Sequence, residues 1–164
     1  MAQKREKNLA FEKPEWEWAG EPFDPMEYFG FVYQITHVPT GRRYIGKRQF
    51  KSKITRPPLK GYKRKRVEWR ENDWRKYWGS SDWVLDDLER DGPEAFHRRI
   101  LALCVSKGDL TYTEAKIQFD LNVLTETLPD GSKAFYNSAI GNRDYGWIKP
   151  ETLRTGDRIL FGNK

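Results

Sequence analysis

The sequence predicts a small α+β domain, a three-stranded antiparallel sheet flanked by helices, on three observations. Residues 29–37 and 43–50 are rich in aromatic and β-branched side chains and are separated by Pro39-Thr40-Gly41, the pattern of a hairpin. Residues 96–105 alternate loosely into the apolar run Ile100-Leu101-Ala102-Leu103-Cys104-Val105, which reads as a third strand buried on both faces. A helical segment lies on either side of that strand, so the order is strand, strand, helix, strand, helix. At 164 residues and 37% hydrophobic content this is one domain's worth of chain. Its core must lean on seven Trp, eight Tyr and nine Phe.

The elements follow in order. Residues 1–26 are polar, with scattered tryptophans and with Pro14, Pro22 and Pro25, and read as an arm ahead of a domain at 27–145. After the hairpin, residues 51–72 combine Pro57, Pro58 and Gly61 with dense charge, which suggests a long surface loop inserted in that domain. Ser80 or Ser81 can cap a helix running to about Arg90, closed by Gly92 before Pro93. Beyond the third strand, Asp109 or Thr111 starts a helix to about Glu126, with an apolar stripe of Leu110, Ile117, Leu121, Leu124 and Leu128. Pro129-Asp130-Gly131 is a turn and residues 134–137 a short extended piece. Residues 146–164 form a tail in which Trp147, Ile159, Leu160 and Phe161 could pack as a clasp.

Composition narrows the function. One cysteine, Cys104, leaves no internal disulfide framework and fits a reducing, cytoplasmic setting. With His37 and His97 it makes too few soft ligands for a zinc finger or a Cys/His cluster. No apolar run reaches the roughly 18 residues of a membrane span, so neither a membrane nor a small-molecule cofactor is expected as a partner.

Charge is sharply segregated. Between Arg42 and Lys76 there are fifteen Lys and Arg against three acids, a net of +12 that leaves −6 on the rest of the chain. Self-repulsion opposes such clustering, and a polyanion would relieve it while releasing counterions. A disordered charged loop is the plainer explanation; a nucleic-acid surface is the better one. Its contacts would come from Arg48, Lys51, Lys53, Arg56, Lys60, Lys63, Arg64, Lys65, Arg66, Arg70 and Lys76.

Two further signals stand out. Glu114 lies four residues after Leu110 and three before Ile117, on the apolar stripe itself. A carboxylate there must be paired, neutralised or bound to a cation, although snorkelling at the edge of the stripe explains it as well. Tyr33 and Tyr44 sit on the paired strands with ten residues between them, followed by Gly46 inside the second strand. A strand glycine marks close approach by a backbone or a ligand; tyrosines on a sheet are more often core than catalytic.

These residues resemble a family. Gly30-Phe31-Val32-Tyr33 and Tyr44-Ile45-Gly46-Lys47 resemble the paired motif of the GIY-YIG nucleases, with Phe31-Val32-Tyr33 departing from the name but keeping its tyrosine. Asp91-Gly92-Pro93-Glu94-Ala95-Phe96 followed by Arg99-Ile100-Leu101 is similar to the family's junction between helix and third strand. Glu114 then falls where its metal-binding glutamate lies, and Tyr136-Asn137 resembles its terminal asparagine motif. The resemblance covers roughly residues 27–143 and is nearest to the small phage-encoded members described as homing endonucleases. Those carry a similar basic insertion, here around Pro57-Pro58-Leu59-Lys60-Gly61, and a segment like 73–81.

What the resemblance implies is phosphodiester hydrolysis in double-stranded DNA. Glu114 would hold one divalent ion, Mg2+ or Mn2+; Tyr33 would be the general base or water-orienting group, with Lys47 favouring its phenolate; Tyr44 would place water and phosphate. Asn137 would support them. The family's transition-state arginine falls out of register in the insertion, which leaves Arg75, then Arg48. One active site nicks a duplex, and a homodimer on DNA would supply the second site for a double-strand break. The role would be phage homing or degradation of host DNA. A DNA- or RNA-binding module that keeps the fold without cleavage is the alternative.

Overall fold

The computed structural model describes residues 15–141 and 143–144; residues 1–14 of the expected arm and the expected tail at 146–164, with its clasp, lie outside them. A three-stranded antiparallel sheet is built from β1 (Gly30–His37), β2 (Arg42–Gln49) and β5 (Phe96–Cys104), in the order β2-β1-β5. The expected hairpin, third strand and fold class are all present. The central strand β1 is buried almost throughout, as its aromatic and β-branched sequence requires. Tyr33 faces Gly46 across the β1–β2 ladder, and Tyr44 faces Ile35.

Each face of the sheet carries its own core. Phe31, Tyr33 and Ile35 point into an aromatic cluster with Phe50, Trp74, Trp78 and Phe96, closed by α1 (Asp82–Asp91) through Val84, Leu85 and Leu88. Val32, Ile45 and Cys104 point the other way, against Leu110 of α2 (Lys107–Asp120) and against Val123, Leu124 and Phe135. The third strand is narrower in its burial than expected. Phe96, Arg98 and Ile100 point inward while His97 and Arg99 are exposed, Leu101 to Leu103 are half-buried, and Val105 is exposed beyond the strand's end. β5 is an edge strand, which explains this.

Both sheet edges are blunted by single-residue bridges. Glu17 donates its N–H to the Arg98 carbonyl and accepts from the Ile100 N–H, covering β5. On the β2 side, the Arg43 N–H bonds the Ala134 carbonyl and the Tyr136 N–H bonds the Arg43 carbonyl. Capping protects the edges from pairing with other chains, and it draws residues 134–137 against the strand that carries Tyr44.

Two expectations are corrected. Residues 51–72 do not form a loop: β3 (Lys51–Arg56) and β4 (Arg66–Glu71) pair antiparallel as a separate two-stranded ribbon. Pro57, Pro58 and Gly61 lie in the connection between the strands, while Ile54, Thr55, Val67 and Trp69 give the flanks their β character. The second helix starts at Lys107, where the Ser106 hydroxyl accepts the Asp109 N–H at 3.1 Å, and stops at Asp120, short of Glu126. Asn122, at φ 52°, turns the chain left-handed just beyond it. Among the described residues no helix is long and apolar enough to cross a membrane.

Candidate active site

Burial on the α2 face follows four-residue steps. Leu110, Glu114 and Gln118 are its buried residues, whereas Ile117 is only half-buried. Glu114 therefore faces the sheet across β2, at the wall of a cavity of about 580 Å³. The same cavity is lined by Tyr33, Tyr44 and Lys47 from the hairpin, Ser80 and Ser81 ahead of α1, and Tyr136 and Asn137 from the edge segment. The Lys47 Nζ lies 3.5 Å from the Glu114 carboxylate and 3.3 Å from the Thr111 hydroxyl. Burial raises the Glu114 carboxyl above the ordinary glutamate range, and Lys47 offsets only part of that.

The tyrosines are packed against one another. Tyr33 is 1% exposed, its ring 6.1 Å from that of Tyr44 and 5.9 Å from that of Tyr77. Burial, with Tyr44 and Tyr77 beside it, pushes the Tyr33 phenol well above its usual value. Tyr44 is also raised by burial, against the opposing effect of Ser80, whose hydroxyl is 3.3 Å from its own. Gly46 is glycine because the Tyr33 ring crosses over it. A Cβ there would come within 2.6 Å of the Tyr33 Cζ and 2.9 Å of Tyr44 Cε1. The close approach expected at this glycine is thus made by the tyrosine pair itself.

Asn137 is buried and spends its amide on the strand. Its Oδ1 accepts the Ile45 N–H at 3.0 Å and its Nδ2 donates to the Ile45 carbonyl at 2.8 Å. Gln118 Nε2 donates to that same carbonyl at 3.1 Å. The residue between the two motif positions Tyr44 and Gly46 is therefore held from two elements at once.

A family model described as "Putative endonuclease segE, GIY-YIG domain" matches residues 16–140. The chain belongs to the GIY-YIG family. Within it, the match is to the segE model, and membership supports nuclease function. No curated protein and no solved structure matches the chain.

The GIY-YIG hairpin brings Tyr33, Tyr44 and Lys47 to one cavity with Glu114 and Asn137. It does not bring either candidate arginine there. Arg75 is exposed, stacks on the Trp74 ring at 4.5 Å and pairs with Glu71. The Arg48 guanidinium lies 4.3 Å from the Tyr77 ring centroid and bonds Asp73 at 2.8 Å. The Lys47 amine pairs with Glu114 in that cavity. The basic side chains from Lys51 to Arg70 sit on the ribbon, outside the cavity.

Sequence reasoning missed Ser80, Ser81, Gln118 and Tyr77. Gln118 was findable, since it stands four residues after Glu114 on the same helix face. Tyr77 depends on Arg98, which no local pattern marks. Arg98 is fully buried between the Trp16 and Trp78 rings, at 4.6 and 4.2 Å, and donates to the carbonyls of Arg75 and Tyr77.

Proposed function

We propose that the chain is a metal-dependent DNA endonuclease of the phage homing or host-DNA-degrading kind, with Glu114 holding the metal ion, Tyr33, Tyr44 and Lys47 at the scissile phosphate and Asn137 as their support. The observation that carries this reading is Glu114, a buried carboxylate facing a water-accessible cavity that two tyrosine hydroxyls and a lysine share.

The donor set fits one divalent ion. Among the described residues no group of three or more His, Cys, Asp or Glu could hold a metal, so Glu114 would hold the ion with few protein ligands. A hard cation such as Mg2+ tolerates this, because it keeps waters and takes further oxygen ligands from phosphate. When bound, the ion polarises the phosphate and stabilises the departing 3′ oxygen. The Glu114 carboxyl stays raised because Lys47 alone undercompensates its burial.

The chain's own groups do the rest. Water attacks phosphorus in line and releases a proton to solvent through the open cavity, the bond to the 3′ oxygen breaks and that oxygen takes a proton from solvent, and the products are a 5′-phosphate and a 3′-hydroxyl. Tyr33, whose phenol burial raises above its usual value, orients the attacking water through its hydroxyl. Tyr44 and Ser80 direct the phosphate. Lys47 takes the place that neither candidate arginine reaches, stabilising charge on the transferring group. A single site nicks a duplex; a homodimer on DNA would be needed for a concerted double-strand break.

The test is supercoiled plasmid with Mg2+ or Mn2+, beside Glu114→Ala and an EDTA control. Metal-dependent nicking that Glu114→Ala abolishes is expected. Salt-sensitive binding with no cutting of plasmid, phage or host DNA under either metal would instead favour a binding module.

A further inference from the structure

The β3–β4 ribbon is a separate piece of architecture with no part in the cavity. Neither of its strands pairs with the main sheet. Residues 51–71 carry nine Lys and Arg against two acids. Six residue pairs give it a length of about 20 Å, at roughly 3.4 Å per residue. B-DNA's major groove, about 12 Å wide, admits a two-stranded ribbon of this kind.

Its root is fixed to the catalytic strand. One residue, the fully buried Phe50, separates β2 from β3. Asn72 closes the root, its N–H bonding the Phe50 carbonyl at 2.8 Å and its Nδ2 the Gln49 carbonyl at 2.9 Å. The ribbon thus continues directly from the strand that holds Tyr44.

The two faces of the ribbon differ. Pairing puts Lys53 with Trp69 and Thr55 with Val67 on one face, and Ser52 with Arg70, Ile54 with Glu68 and Arg56 with Arg66 on the other. Glu68 sits at the centre of the second face. It accepts Arg56 Nε at 2.8 Å and Arg70 Nε at 2.9 Å, and those arginines hold its carboxyl down to about 2. A surface meant only for phosphate gains nothing from a permanently ionised carboxylate at its centre. Two guanidinium forks oriented by an acceptor are suited to base edges, where Arg matches guanine and Glu accepts from cytosine. The exposed tip, with Lys60, Lys63, Arg64 and Lys65, has the point charges that suit phosphates.

We propose that the β3–β4 ribbon enters the major groove of duplex DNA and reads base edges with Arg56, Glu68 and Arg70 while its tip lysines hold the backbone. The proposal rests on the DNA-endonuclease reading above and names what sets that enzyme's specificity.

Binding is read in EDTA, so that cleavage is not needed. The full chain selects from a library of random DNA duplexes, and the enriched sequence is compared with a scrambled duplex. A motif is expected, and methylating guanine N7, which lies in the major groove, should block binding where methylating adenine N3, in the minor groove, does not. Arg56→Lys and Arg70→Lys keep the charge but lose the fork. Each should reduce preference for the motif by roughly tenfold to a hundredfold, with the salt dependence unchanged. Lys60→Ala with Lys63→Ala should weaken motif and scramble alike and flatten the salt slope by about one for each phosphate no longer neutralised. Circular dichroism confirms that these surface variants fold.

The proposal falls if no motif is enriched, if N7 methylation has no effect, if the Lys variants keep the motif, or if RNA or single strands outcompete the duplex. A chain that selects a motif in this way without cutting keeps the ribbon and loses the nuclease. One that cuts without selecting does the reverse.

Discussion

Asn137 stands in for a strand residue beside Ile45, returning both of that residue's backbone hydrogen bonds from one side-chain amide, at 3.0 and 2.8 Å. Gln118 also reaches the Ile45 carbonyl, so removing Asn137 orphans the N–H and not the C=O. Asn137→Ala should cost about 1–3 kcal/mol, the usual penalty for a buried donor left unpaired. Chemical denaturation gives the stability, and hydrogen exchange at the Ile45 amide gives the cause. Unchanged protection of that amide would refute the clamp.

The crossing of Tyr33 over Gly46 makes a separate prediction. A methyl group at position 46 meets the Tyr33 and Tyr44 rings, both confined by neighbouring aromatics. Gly46→Ala should destabilise the fold by about 1–3 kcal/mol, the range for overpacking, and reduce nicking by more than its stability loss accounts for. Activity measured well below the melting temperature separates the two effects. Wild-type turnover in this variant would show that the tyrosine geometry is not needed.

Arg98 offers a test of how the segment that places Tyr77 beside Tyr33 is held. Its guanidinium donates to the Arg75 and Tyr77 carbonyls while sandwiched between two indoles, and burial lowers its pKa to about 10. Lysine keeps the charge but cannot stack or fork in the same way. Arg98→Lys should lose about 1.5–3 kcal/mol and loosen residues 75–78, with hydrogen exchange at their amides reporting the change. A fully stable Arg98→Lys would mean that aromatic packing alone fixes this segment.

The parts of the molecule that were legible in the sequence are those written locally. The hairpin was readable because β-branched and aromatic runs flank a Pro/Gly turn, and the first helix because Ser81 and Gly92 cap it. Glu114 was readable as an anomaly on a periodic stripe. The ribbon was not, because prolines and charge in its turn masked short strands whose pairing partner lies some fifteen residues away. The surroundings of Tyr33 were likewise hidden. Lys47 follows Gly46 in the motif, and its amine turns to Glu114, 3.5 Å away. Tyr77 is held beside Tyr33 in part by the long-range bond from Arg98.

The pairing of Lys47 with the buried Glu114 sets how activity and stability should respond to pH. Burial sets the Glu114 carboxyl above its ordinary 4.5, and Lys47 acts in the opposite direction. Only the ionised form can hold a cation, so nicking should fall, as pH drops, at a higher pH than an ordinary glutamate would give. Lys47→Met removes the group that lowers this pKa and should move the acid limb further up, whereas more Mg2+ should move it down. For stability the sign is reversed. A carboxyl whose folded pKa is raised costs stability as pH rises from its unfolded pKa through its folded one. Glu114→Gln should therefore be at least as stable as wild type at neutral pH while being unable to cut. Melting curves across pH, set beside nicking rates, check both limbs. A Glu114→Gln protein that melts well below wild type at neutral pH would show that the carboxylate is a structural partner of Lys47 and not a site held ready for a cation.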